Sequence, residues 1–347
     1  MGSSATAEGP SFVARALALS RAGEWWEYKL VPIFGIFYAT ALYLKLPILW
    51  LWPAALTLLL ALVPGAVFVS LINDLTDKAE DAAAGKRNRM AGRSGGEAAV
   101  LVAAPVAAGL VIAIFWRGYP LLLAAYLGAW IAFSLYSLPP FRLKTRGLAG
   151  VLADASGAHL FPSLAAALCV FAYSGRSPDP LWLAAVAAWA GAYGLRGILW
   201  HQLGDIENDR IAGVSTFVQR RGRTAVLSLV RYATFPVEGA ALAALLWQLH
   251  QPLPLLFLLL YFLIVRLRVA WWETEAVLVE PRGRYLLFLH DYYEVLLPLS
   301  LLIASALQHP LDAFAIAAHV LLFPNRLMMF ASEVRLLGRD AVNFVRR

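Results

Sequence analysis

The sequence has a single cysteine and few charged residues. Cys169 is alone among 347 residues, which excludes a disulfide within the chain and a thiolate metal cluster. Charged side chains make up 15% of the chain, against about 25% in an average soluble domain, and hydrophobic residues make up 61%. This composition indicates an integral membrane protein.

Apolar runs of about 18 to 25 residues, long enough to cross a bilayer, predict an all-α membrane fold. Nine helices are expected near residues 29–46, 53–74, 97–116, 119–137, 148–173, 181–203, 224–248, 253–270 and 286–307. The chain then divides into a cytoplasmic or interfacial N-terminal segment (1–28), a nine-helix bundle (29–307) and a C-terminal membrane-associated segment with a basic tail (308–347). Within that last segment, residues 311–330 predict an additional span or a re-entrant segment.

The net charge of +7 is explained by the orientation of the chain in the membrane. Lysine and arginine are concentrated in the loops that follow the even-numbered predicted helices. The positive-inside rule places these loops and the N-terminus in the cytoplasm. We therefore expect a multi-pass protein in the lipid bilayer, with no nucleic acid partner.

Polar residues end the second and the sixth predicted helices. The two clusters consist of Asn73, Asp74, Asp77 and Asp81, and of Asp205 and Asp209. Residues four positions apart share one face of a helix, so the side chains of each cluster point together. A carboxylate near bilayer depth costs roughly 2.5 to 3.5 kcal/mol and tends to mark a functional site. Both clusters are predicted on the same side of the membrane.

Carboxylates that converge at low dielectric require a cation to neutralise them. All-oxygen ligation suits Mg²⁺, which binds few carboxylates and completes its shell with water and substrate phosphate. The neighbouring Arg87, Arg142 and Lys144 would suit a phosphate group as well. One acidic helix end alone could be a solvated loop, whereas two on one side, with basic neighbours, favour a metal and phosphate site.

Three motifs occur in order along the chain: "NDLTDKAED" (73–81), "YSLPPFRLKTRG" (136–147) and "DIENDRIAGVST" (205–216). The first matches the Asn-Asp-x-x-Asp-x-x-x-Asp pattern of the UbiA superfamily of intramembrane prenyltransferases. The second resembles that superfamily's loop between helices four and five, and the third resembles its second aspartate-rich pattern. The resemblance covers about residues 25–307.

This resemblance implies a nine-helix bundle in which Mg²⁺ holds a prenyl diphosphate, whose tail lies in a lipid-facing groove. It implies that the catalytic metal site is formed, directly or through water, by Asn73, Asp74, Asp77, Asp81, Asp205 and Asp209. It assigns the diphosphate to Arg142 and Lys144, with Lys29 at a similar basic position. Arg87 is a further candidate for the diphosphate, and the ring of Tyr136 could stabilise an allylic cation.

The expected reaction is Mg²⁺-dependent transfer of a prenyl group from a prenyl diphosphate to an aromatic or other small acceptor. Breaking the allylic carbon–oxygen bond moves negative charge onto the diphosphate, which preorganised cations stabilise in the transition state. A terpene cyclase of the same superfamily is one alternative. A transporter or lipid-binding membrane protein, whose carboxylates hold an ion, is the other.

The segment before the second cluster departs from many members of the superfamily, which have Tyr-x-x-x-Lys-Asp there. The corresponding residues are Gly197, His201 and Gln202, so a Lys or Asp that would activate a phenol is missing. His201 could bind substrate or act as a base near neutral pH, or it could be a hydrogen-bonded part of the helix wall. Arg196 could bind an acceptor carboxylate, or it could pair with Glu238 or Asp154.

Overall fold

The structure, a computed structural model, is a bundle of long helices, and it describes residues 18–211 and 213–345. In chain order the helices are α1 (Ala22–Tyr43), α2 (Trp52–Thr76), α3 (Gly95–Phe115), α4 (Pro120–Ser137), α5 (Leu148–Ser174), α6 (Pro180–Gly204), α7 (Arg223–Leu249), α8 (Pro252–Trp272), α9 (Tyr292–Gln308), α10 (Ala313–Leu322) and α11 (Pro324–Val345). Three short α-helices lie in the described connections: Lys78–Ala83, Ile206–Ile211 and Phe217–Arg221. Most of the predicted N-terminal segment, residues 1–17, lies outside the described residues.

The predicted all-α membrane fold is confirmed, but a count of nine spans is not. Within the described residues, seven helices, α2 to α8, are long and apolar enough to cross a membrane. Their exposed apolar side chains, such as Leu56, Val111 and Leu259, suit contact with lipid. Helix α1 is not among the seven and has charged residues in its first two turns, and α9 is shorter than the others.

Helix α1 is the most enclosed element near the site. Its side chains are buried without a break from Leu30 to Leu42, and this explains why α1 is apolar all round. Lys29 directly precedes this run and is only partly buried. The sequence of α1 thus changes from polar to fully apolar within one turn, directly after Lys29.

Helix α5 contains a π-helical turn, Ser156–Leu160, of a kind often found at functional sites. It packs closely on its neighbours: a Cβ at Gly157 would lie 2.7 Å from the Phe133 ring of α4. A Cβ at Gly194 of α6 would lie 2.9 Å from the carbonyl oxygen of Ala155. These contacts fix the part of α5 that carries Asp154.

The connection between α8 and α9 differs from the prediction. Two three-residue strands, β1 (Glu275–Val277) and β2 (Tyr285–Leu287), pair in parallel register. The helix predicted for residues 286–307 therefore begins later, at Tyr292. Between the strands, Gly283 adopts a φ of +50°, a turn conformation that the apolar pattern did not reveal.

The C-terminal residues form a bent helix pair. The stretches Pro310–Leu322 and Pro324–Val342 meet at 89°, a geometry that fits either a broken span or a re-entrant segment. The Glu27 carboxylate of α1 accepts hydrogen bonds from the backbone N–H groups of Asn325 (2.9 Å) and Arg326 (2.5 Å). This cap ties the start of α11 to the bundle.

Candidate active site

A polar cavity of about 1290 Å³ lies where α2 and α6 end. The predicted site residues that line it are Lys29, Asn73, Asp74, Asp77, Asp81, Arg87, Tyr136, Lys144, His201, Asp205 and Asp209. Arg142 does not line the cavity but contacts two acids that do, Asp77 and Glu80, and Arg196 lies outside the cavity lining. The structure therefore brings the two acidic helix ends and the basic loop to one space.

The first acidic cluster is held by the segment that returns after α2. Asp74 is 3% exposed, and its carboxylate accepts a hydrogen bond from the backbone N–H of Arg89 at 3.2 Å. Asn88 donates its side-chain amide to the Asp74 carbonyl oxygen (2.7 Å) and to the Asp81 carboxylate (2.8 Å). Asn73 accepts a hydrogen bond from the Ser137 hydroxyl of α4. These bonds fix the acidic side chains relative to one another.

The loop between α4 and α5 supplies positive charge to this cluster. Lys144 pairs with the Asp77 carboxylate, and Arg142 lies 3.3 Å from the same oxygen and 2.7 Å from Glu80. The loop packs tightly on α5, because a Cβ at Gly150 would lie 2.4 Å from the Leu143 carbonyl oxygen. Glycine at this position thus allows Lys144 to reach the cavity.

The second acidic cluster contains two carboxylates with opposite pKa shifts. Burial raises the pKa of Asp205, but a hydrogen bond from Asn208 and the charges of His201 and Lys86 outweigh it, so this pKa lies below its usual value. Burial and the neighbouring Asp205 charge raise the pKa of Asp209. The distances to Asp205 are 3.1 Å for Asn208, 3.4 Å for Lys86 and 3.6 Å for His201. Asp209 would therefore gain more than Asp205 from a bound cation.

The donor atoms of the cavity suit Mg²⁺. Within the described residues, no three His, Cys, Asp or Glu side chains are close enough to hold a metal ion by themselves. However, Mg²⁺ in enzymes commonly uses one or two carboxylates together with waters and substrate phosphates. Two acidic helix ends at one cavity, with basic side chains between them, fit such a shared site.

An apolar groove of about 150 Å³ adjoins the polar cavity. Trp25, Lys29, Val69 and Ser70 line both spaces, so the two adjoin along α1 and α2. The groove continues between α2, α4 and α5 and includes Trp130. A ligand with a charged head and a hydrocarbon tail matches this arrangement.

Two predicted substrate residues have distinct surroundings. Arg196 is fully buried and does not line the cavity. Its guanidinium donates a hydrogen bond to each Glu238 carboxylate oxygen at 2.7 Å. Of the two roles considered for Arg196 from the sequence, this arrangement matches the ion pair with Glu238. His201 lines the cavity with its side chain 66% exposed, and its Nε2 lies 3.6 Å from Asp205.

Several cavity residues were not predicted as site residues. Asp154 lines the cavity from α5, and His159 lies 3.0 Å from Lys29. On another wall, Arg326 of α11 binds Asp291 (2.7 Å) and Glu294 (2.7 Å). The "HDYYE" segment signals Asp291 and Glu294 by its charges within an apolar region, but no local pattern indicates Arg326, which is distant in sequence.

The fold and site define a multi-pass membrane protein with an acidic and basic ligand cavity at one end of its helical bundle. This chain belongs to the UbiA prenyltransferase family, whose model matches residues 30–289. It is therefore a prenyltransferase, as the three motifs predicted.

Curated relatives and solved structures agree with this assignment. A lycopene elongase/hydratase of Halobacterium salinarum is 31% identical over 256 residues, which cover 72% of this chain and 87% of the relative. The Haloferax volcanii protein of the same name is 31% identical over 194 residues, covering 53% and 61%.

A UbiA homologue from Archaeoglobus fulgidus, solved with DMAPP and Mg²⁺, superposes with a TM-score of 0.53 at 18% identity, covering 84% of this chain and 99% of that one. The same homologue with Cd²⁺ gives a TM-score of 0.55 at 19% identity, covering 84% and 98%. These structural matches establish the fold.

Proposed function

We propose that this protein transfers a prenyl group from a prenyl diphosphate to a long unsaturated hydrocarbon in a Mg²⁺-dependent reaction, with lycopene as the first acceptor to test. The observation that carries this proposal is the junction of the polar cavity with the apolar groove. Dimethylallyl diphosphate is the first donor to test, because a relative of this fold was solved with it and because the groove is small.

The acidic residues would bind the metal. Asp74, Asp77 and Asp81 on one side, with Asp205 and Asp209 on the other, would hold Mg²⁺ directly or through water, and Asn73 would complete this shell. When bound, the metal supplies positive charge that binds the diphosphate and stabilises it as a leaving group.

The basic residues would bind the diphosphate oxygens. Lys144 and Arg142 already converge on Asp77, Lys29 contacts His159 at 3.0 Å, and Lys29 and Arg87 line the same cavity. Their charges are in place before the carbon–oxygen bond breaks, so they stabilise the developing negative charge without reorganisation. The Tyr136 ring lines the cavity beside them and would face the allylic cation.

A hydrocarbon acceptor agrees with the segment before Asp205. Gly197, His201 and Gln202 provide no Lys-Asp pair to activate a phenol, and an alkene needs no such activation because its π electrons attack the cation directly. The relatives that are 31% identical carry lycopene in their names, which supports this class of acceptor over an aromatic one. We also propose that the cavity faces the cytoplasm, since the basic loops surround it.

The test uses purified protein in lipid nanodiscs with dimethylallyl or geranyl diphosphate, Mg²⁺, and either lycopene or 4-hydroxybenzoate. Extended lycopene together with released diphosphate is the expected result, and Asp74→Ala and Asp205→Ala should abolish both. Glu97→Gln is the matched control, because this carboxylate accepts a hydrogen bond from the Ser94 backbone N–H at the start of α3 and does not line the cavity. Prenylation of the phenol alone would refute the proposed acceptor, and diphosphate release with a cyclic or alcohol product of the donor would indicate a cyclase.

A further inference from the structure

Transfer to an alkene creates a chemical requirement beyond binding and ionising the diphosphate. When the allylic cation adds to a carbon–carbon double bond, the acceptor itself becomes a carbocation. That cation must lose a proton from a neighbouring carbon or take up water. Some group near the reacting carbons has to accept a proton in either case.

Asp154 is a cavity carboxylate that the proposed diphosphate chemistry leaves unused. Among the cavity-lining acids in the described part of the chain, only Asp154 and Asp209 have side chains with no hydrogen bond or ion pair. Asp209 belongs to the proposed metal set. Asp154 therefore keeps its oxygens available to a ligand.

The surroundings of Asp154 place it between the two halves of the substrate site. It precedes the π-helical turn of α5, in which Gly157 and Ala158 line the apolar groove while Asp154 lines the polar cavity. The charge of Lys29, which lines both spaces, acts on Asp154. Tyr136 lines the same polar cavity as Asp154 and the two acidic helix ends.

The donor's reacting carbon must lie at this same boundary. The diphosphate would be bound at the aspartates and the hydrocarbon tail in the groove, so the carbon that joins them lies between. An acceptor double bond that attacks this carbon is then brought to the wall that carries Asp154. A carboxylate with free oxygens at that wall is suitably placed to accept a proton.

We propose that Asp154 is the general base that ends the reaction, an inference that rests on the proposed function. The bond between the donor carbon and the diphosphate oxygen breaks and leaves its electrons on the diphosphate, and the acceptor π electrons then form the new carbon–carbon bond with the allylic cation. The electrons of a carbon–hydrogen bond beside the resulting cation then form a new double bond, and the proton moves to the Asp154 carboxylate. If water adds to the cation instead, Asp154 accepts the proton that the water loses, and the product is an alcohol.

The alternative is that Asp154 only balances the charge of Lys29. To distinguish the two, Asp154→Asn and Asp154→Glu are compared with Glu333→Gln, a cavity carboxylate already paired with Arg268 at 2.5 Å. The readouts are the number of extended lycopene molecules per diphosphate released, and the position of the new double bond or hydroxyl group. Unfolded protein contributes to neither count, so their ratio does not depend on how much of a variant is folded.

If Asp154 is the base, Asp154→Asn should lower the number of extended lycopene molecules per diphosphate released at least tenfold or shift the position of the double bond. Asp154→Glu should recover part of the effect. Glu333→Gln should match the wild type. An unchanged ratio and unchanged product in Asp154→Asn, whatever the absolute rate, would overturn the inference. If wild-type protein extends no polyene at all, the proposed function itself has failed, which is a different result.

Discussion

The buried ion pair between Arg196 and Glu238 gives the sharpest test of how the bundle is built. Both residues are fully buried, and Glu238 accepts two hydrogen bonds from the guanidinium at 2.7 Å and a third from the Tyr293 hydroxyl at 3.0 Å. Glu238→Gln keeps the shape but leaves the Arg196 charge without a counter-charge. We predict a loss of about 3 to 5 kcal/mol in the free energy of unfolding, typical of breaking a buried pair.

The magnitude follows from the bonds that are lost. Each charge-assisted hydrogen bond contributes about 1.5 to 3 kcal/mol, and glutamine retains one oxygen that can still accept. The loss should therefore fall toward the lower end of the range, near 3 kcal/mol, which raises the unfolding constant more than 100-fold. Arg196→Met combined with Glu238→Leu should recover much of the loss, because no buried charge then remains unpaired.

The assay is equilibrium unfolding by SDS in mixed micelles, followed by tryptophan fluorescence. Glu207→Gln is the matched control: Glu207 pairs with Arg210 at 2.6 Å, but both side chains are exposed, so its unfolding curve should not move. Unchanged unfolding of Glu238→Gln, together with a raised KM for an acceptor, would refute the structural role and favour acceptor binding by Arg196.

Three further predictions concern the proposed active site. Lys144→Ala should lower kcat for diphosphate release by about 100-fold or more in a steady-state assay, because it removes a preorganised cation, while Lys144→Arg should keep most of the activity. Treatment with EDTA should abolish diphosphate release, and Mg²⁺ added in excess should restore it; activity that survives chelation would contradict the proposed site. The Trp130 ring lies 4.8 Å from the Phe68 ring in the apolar groove, whose 150 Å³ holds about one benzene-sized group. Trp130→Ala enlarges this space and should raise kcat/KM for geranyl diphosphate relative to dimethylallyl diphosphate. An unchanged ratio would show that the donor tail lies elsewhere.

Much of the site was predictable because its signals are local. Asn73, Asp77 and Asp81 lie within a few residues of one another directly after an apolar run, so they come together at the end of α2 even though that helix ends at Thr76 and a second one begins at Lys78. Lys144 lies in the short loop after α4, so chain length limits its distance from the end of that helix. Those residues line one cavity in the structure, as predicted.

Other parts depend on contacts between distant segments, which a single sequence does not reveal. Arg326 reaches the cavity because Glu27, almost 300 residues earlier, caps the helix that carries it. Asp154 looks like one acid in an apolar helix, and only the packing of α5 against α4 and α6 gives it a place at the boundary of two cavities. The strands β1 and β2 are three residues each, too short for alternation of apolar and polar residues to show.

The ion pairs of the cavity suggest how metal and diphosphate would enter together. Carboxylates collected at low dielectric are stabilised by compensating charge, and here Lys144 and Arg142 provide it for Asp77 while Lys86 provides it for Asp205. A metal ion alone would have to displace these cations and leave them unpaired, and a diphosphate alone would leave the carboxylates unpaired. Binding both at once exchanges partners, because the metal takes the carboxylates while the phosphate oxygens take the lysine and arginine side chains. The cavity's charges therefore favour uptake of the donor as its magnesium complex.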